Sequence, residues 1–68
     1  MNEKIIQYIE SNQNKVGSPH INLTVNEISN ALELSPLEVR EALEHMIAFD
    51  QLNAKLDTSY YDAELEVY

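Results

Sequence analysis

The sequence predicts an α+β fold in one domain spanning residues 1–68: three helices with a small antiparallel β-sheet built from a short strand and a hairpin. Three observations point there. Apolar residues recur at three- and four-residue intervals in helix-length segments, about 2–14, 25–32 and 36–49. Two helix starts are spelled out, Thr24-x-x-Glu27 and Ser35-Pro36-x-Glu38. After residue 51 the apolar spacing becomes alternating, the period of a half-buried strand.

The first helix is expected over 2–14, NEKIIQYIESNQN, where Ile5, Ile6, Tyr8 and Ile9 follow Met1 at helical spacing. Asn12, Gln13 and Asn14 weaken the helical signal, and Gly17-Ser18-Pro19 ends it, because proline lacks an amide donor and restricts the residue before it. His20 to Leu23 alternates through Ile21 and Leu23, enough for a short edge strand joining a sheet formed later. Thr24 and Glu27 then form a capping box that opens the second helix, about 25–32. Ser35 and Glu38 repeat that logic, with Pro36 at the first helical position, where its missing N–H costs nothing. Val39, Leu43, Met46 and Ile47 carry the third helix to about Phe49, so only Glu33 and Leu34 separate the last two helices.

The hairpin is expected over about 52–67. Centring it on Thr58-Ser59 sets Leu56 opposite Tyr61, Ala54 opposite Ala63 and Leu52 opposite Leu65 on one face. On the other face Lys55 meets Asp62, an opposite-charge pair, and Asn53 meets Glu64. Thr-Ser lacks the glycine or asparagine of a tight two-residue turn, so a four-residue tip, Asp57 to Tyr60, is the alternative.

A chain of 68 residues buries only roughly 60% of the surface that its unfolded form exposes, so its stability is expected to be marginal and helped by oligomerisation or a partner. Twelve Asp and Glu face only Lys4, Lys15, Arg40 and Lys55, a formal net charge of −8. Such a field disfavours polyanions and anionic membranes and favours basic partners. There is no cysteine for a disulfide or a thiolate metal site, and no apolar run approaches the roughly 18 residues of a membrane span. A cytoplasmic protein is therefore expected. His20 and His45 are far apart and share no ligand spacing with a carboxylate, the serines have no histidine–acid relay, and the single glycine excludes a glycine-rich phosphate loop. The expectation is a protein that is not an enzyme and holds no metal or cofactor.

Residues 28–43 read I-x-x-x-L-x-L-S-x-x-x-V-x-x-x-L through Ile28, Leu32, Leu34, Ser35, Val39 and Leu43. With the order helix, strand, helix, helix, hairpin, this pattern resembles the winged helix-turn-helix family over nearly the whole chain. The resemblance implies that the third helix is a recognition helix presenting Pro36, Leu37, Arg40, Glu41, Glu44 and His45, with Glu38 beside them, and that the hairpin is a wing. It also implies a small transcriptional regulator reading DNA, as a dimer, through Ser35, Arg40, His45, Lys55, Thr58, Ser59 and Tyr60. Two positions depart from the pattern: Glu33 stands where the turn often has glycine, and Asp50 where glycine commonly precedes the wing. Aspartate visits left-handed backbone more readily than most residues, and a longer or differently bent turn would accommodate Glu33.

The surface chemistry points away from DNA. Phosphate contacts need cations, and Arg40 stands almost alone among Glu38, Glu41 and Glu44, while Lys55 is surrounded by Asp57, Asp62, Glu64 and Glu66. The first expectation is thus an acidic interaction module acting in transcription or another nucleic-acid transaction, with Glu38, Glu41, Glu44, Asp57 and Asp62 engaging a basic protein surface. Direct DNA binding and a DNA-mimicking inhibitor are the alternatives. Arg40 is also placed for an i, i+4 pair with Glu44, and Glu41 for one with His45. Ile47, Phe49 and Tyr68 either complete the core or form a patch for a homodimer or a partner.

Overall fold

The computed structural model describes residues 2–59 and 62–68. The elements follow in the order α1 (Asn2–Val16), β1 (Ile21–Thr24), α2 (Val25–Leu32), α3 (Pro36–Ala48), β2 (Ala54–Asp57) and β3 (Glu64–Val67). The result is a small α+β domain of three helices and a three-stranded antiparallel sheet.

α1 runs through the polar segment expected to weaken it, because those side chains bond to backbone carbonyls. Asn12 Nδ2 donates to Tyr8 O at 2.8 Å, and Gln13 Nε2 reaches Pro19 O at 2.9 Å across the following loop. Gly17, at φ 75°, then stops the helix, its amide and that of Ser18 both folding back on Gln13 O.

Both helix starts are capped by hydroxyls. Thr24 Oγ1 accepts from Glu27 N at 3.1 Å and Ser35 Oγ from Glu38 N at 3.2 Å. The capping box at Thr24 is only half reciprocal, since its hydroxyl donates to Glu27 Oε1 at 3.4 Å. The tight link between α2 and α3 is made by Glu33 itself, in left-handed backbone at φ 55°, ψ 41°, with its own N–H and that of Leu34 bonded to Ser29 O. No longer or differently bent turn is used. α3 ends one residue before the expected limit, and Asp50 at φ 57° reverses the chain so that the Gln51 and Leu52 amides return to Met46 O.

The sheet order is β1-β3-β2, with β3 in the centre. The expected hairpin register is corrected by four residues: Ala54 lies opposite Val67, Lys55 opposite Glu66, Leu56 opposite Leu65 and Asp57 opposite Glu64. The proposed partners Ala63, Asp62 and Glu64 of Ala54, Lys55 and Asn53 are therefore displaced, as is the pairing of Leu52 with Leu65; Tyr61, the expected partner of Leu56, lies outside the described residues. Neither short tip forms, because the ladder stops at Asp57 and resumes at Glu64. The cause is a second demand on the same residues. β3 must also pair with β1, Ile21 against Val67 and Leu23 against Leu65, and residues 62 and 63 are taken up at the start of α2, where Val25 N donates to Ala63 O at 2.9 Å. An even shift leaves the paired residues of β2 and β3 on the faces expected of them.

The inner face of the sheet supplies Ile21, Leu23, Leu65 and Val67 to a core closed by Ile5 and Ile9 of α1, Ile28 of α2, and Val39, Leu43 and Met46 of α3. Burying each such side chain contributes about 1.5–3 kcal/mol relative to exposure. Ser29 is the buried polar residue of this set, and its hydroxyl donates to Asn26 O at 3.0 Å.

Candidate functional site

Val39, Leu43 and Met46 turn one side of α3 into the core, which leaves Leu37, Glu38, Glu41, Glu44, His45 and Ala48 exposed on the other. Arg40 is the helix's one Lys or Arg, and its Nε donates to Glu44 Oε1 at 3.2 Å in an exposed i, i+4 ion pair. Such a pair is worth about 0.2–0.5 kcal/mol. Its larger effect is electrostatic, since the cation of this face is already matched by a carboxylate. The expected pairing of Glu41 with His45 is not made. His45 lies instead against Phe49, ring centroids 4.6 Å apart at 33°, one turn further along the same side.

Asp62 is not on the hairpin ladder. Its Oδ1 accepts from Asn26 N at 3.1 Å, so the start of α2 is capped twice, by Thr24 on the Glu27 amide and by Asp62 from 36 residues away on the Asn26 amide. A helix N-terminus is a natural anion site because its free amides and dipole favour negative charge. Here the chain supplies that anion itself. Asp62 and Arg40 line one shallow pocket of about 190 Å³ with Val25, Asn26, Pro36, Leu37 and Ala63.

At the other end of the 58–63 connection, Asp57 Oδ1 accepts from Ser59 N at 2.9 Å. The Ser59 amide and then its hydroxyl hold the Asp57 carboxyl below its ordinary value, helped by Lys55 and opposed by partial desolvation. Asp57 is therefore a carboxylate at neutral pH, and it faces Glu64 directly across the ladder, while Lys55 faces Glu66.

The residues expected to touch DNA are largely engaged elsewhere. The Ser35 hydroxyl caps α3, Arg40 is paired with Glu44, His45 rests on Phe49, and Lys55 stands opposite Glu66. Thr58 and Ser59 are exposed, and Tyr60 lies outside the described residues. Ile47, Phe49 and Tyr68 divide. Ile47 is half-buried against the core and, with Tyr68, lines a groove between α3 and β2, whereas Phe49 is 66% exposed and does not line it. Ala48, Ala54 and Leu56 complete the apolar side of that groove, and their membership was not readable without the register. The role of Asp62 at α2 likewise left no local signal.

No known protein family, curated protein or solved structure matches the chain. No helix among the described residues is long and apolar enough to cross a membrane.

Proposed function

We propose that this chain is an acidic interaction module with a winged-helix-like layout, whose α3 face binds a basic protein surface in transcription or another nucleic-acid transaction. The nucleic-acid context rests on the family resemblance alone. The observation that carries the reading is the exposed row Glu38, Glu41 and Glu44 on α3, with the helix's single Arg pinned to Glu44. A DNA-reading helix needs the reverse balance, because cations on phosphates provide most of the sequence-independent affinity. Asp62 adds to this, placing a carboxylate on the helix amide where a phosphate would otherwise be welcomed. Carboxylates at Glu38, Glu41, Glu44 and Asp57 would steer a cationic partner and raise its association rate more than they fix its final affinity.

The test joins two measurements. Amide-resolved NMR titration with mixed-sequence duplex DNA at low salt, where weak electrostatic binding is exaggerated, is expected to leave α3 and residues 57–59 unmoved. A protein partner captured by the wild-type chain is expected to be lost on Glu41→Lys with Glu44→Lys. Localised DNA-induced shifts on α3 would replace the reading with direct DNA binding, and a partner indifferent to the charge reversal would remove the acidic face from the interface. Competition of the captured partner between DNA and this chain would identify a DNA mimic.

A further inference from the structure

β2 is an edge strand: one side is bonded to β3 and, among the described residues, the other carries no strand. α3 overhangs that edge. Glu44, Ile47 and Ala48 from the helix and Ala54, Lys55, Leu56 and Tyr68 from the sheet side line an open groove of about 410 Å³. An added strand would continue the ladder with its backbone and bring alternate side chains into the groove.

The outer face of the sheet says which strand fits. The register aligns two rows, Asn22–Glu66–Lys55 and Thr24–Glu64–Asp57, each ending on β2. Asp57 and Glu64 are like charges directly opposite each other, an unfavourable pair with no cation beside it in its row. Lys55, two residues away on the same strand, is matched by Glu66 on one side and free on the other.

We propose that the occupant is a second copy of this chain, paired antiparallel through β2 about a two-fold axis at Leu56. Residues directly opposite in an antiparallel pair share a face, so the axis must pass through a residue rather than between two. An axis at Lys55 would set lysine against lysine, and one at Asp57 would set aspartate against aspartate. An axis at Ala54 would set Lys55 against Asn53 and leave Asp57 uncompensated. Only Leu56 sets Lys55 of each copy opposite Asp57 of the other, with leucine against leucine at the centre over the grooves. The two rows then join into one, Asn22–Glu66–Lys55–Asp57–Glu64–Thr24, running through both copies in each direction. The groove meets the acidic face of α3 at Glu44 and not at Glu38 or Glu41, and the charge pairs that set the axis lie on β2, so either proposal can fail without the other.

Sedimentation of the full chain at about 0.15 M salt is the test, since that ionic strength screens distant charges but not cross-strand neighbours. Between about 10 μM and about 1 mM the mass is expected to rise from one chain to two, a range suited to a short edge-strand interface. Amide shifts and slowed hydrogen exchange should accompany it on 54–58 and along the groove. Lys55→Asp and Asp57→Lys should each weaken self-association roughly tenfold or more, because each sets like charges opposite one another twice. Their equimolar mixture should recover the dimer, because Asp meets Lys at both positions of the mixed pair. A chain that stays monomeric across the range overturns the proposal. So does a dimer that Lys55→Asp leaves intact, a mixture that fails to recover pairing, or a dimer whose amide changes lie away from β2.

Discussion

Glu33 holds a left-handed backbone at φ 55° where glycine would sit without strain, and Asp50 does so at φ 57°. For an L-residue with a long side chain that conformation costs about 1–2 kcal/mol, partly offset because glycine would lose more freedom on folding. Glu33→Gly is therefore expected to stabilise the protein by about 0.5–1 kcal/mol, raising Tm by roughly 2–8 °C for a domain of this size. Asp50→Gly should gain less, since aspartate tolerates the left-handed region better. Glu33→Gln separates backbone from charge: it removes the carboxylate and keeps the strain, so a thermal melt matching that of Glu33→Gly would show that charge, not φ, limits stability there. That the turn is short was readable from spacing, since only Glu33, Leu34 and the cap residue Ser35 lie between the helices. What spacing did not show was that the chain accepts strain at Glu33 rather than lengthening the turn.

At the level of elements, the helices were legible because their signals are local. Hydroxyl caps at Thr24 and Ser35 act three residues away, and apolar periodicity speaks for itself over a dozen residues. The hairpin was legible in its faces but not in its register. Alternation fixes which side chains point inward, and that parity survives a shift of four residues; the choice among even shifts was made by β1 and α2, which are distant in sequence. The same long-range demand hid the function of Asp62, whose partner amide is 36 residues earlier. The start of α2 thus joins two elements through one carboxylate. Asp62→Ala is expected to cost about 0.5–2 kcal/mol, the range of a lost N-cap, with Thr24→Ala similar. The two losses should be less than additive in a double-mutant cycle measured by urea unfolding, because both caps serve adjacent amides of one short helix. Strict additivity would mean that the Asp62 contact stabilises the 58–63 connection rather than α2.

For the whole molecule, the decisive quantity is the formal charge of −8 on a body only 28 × 23 × 22 Å across. At about 0.01 M ionic strength the Debye length is about 30 Å, so every carboxylate senses every other; at about 0.15 M it is about 8 Å, and only neighbours interact. Salt also weakens attractive pairs, but among the described residues the ion pair found is Arg40–Glu44, exposed and worth a few tenths of a kcal/mol. Long-range repulsion therefore outweighs local attraction in the folded state, whereas the expanded unfolded chain relieves it. Added NaCl across that range is expected to raise Tm by several degrees, on the order of 1 kcal/mol of stability, with most of the gain below about 0.15 M. The saturation matters as much as the sign. A gain that continued steadily into molar salt would reflect stronger apolar burial by an excluded salt rather than screening, and a falling Tm would mean that attractive pairs dominate despite the net charge. A plateau would place the acidic surface as a standing cost to folding, a cost that a cationic partner docked on Glu38, Glu41 and Glu44 would relieve.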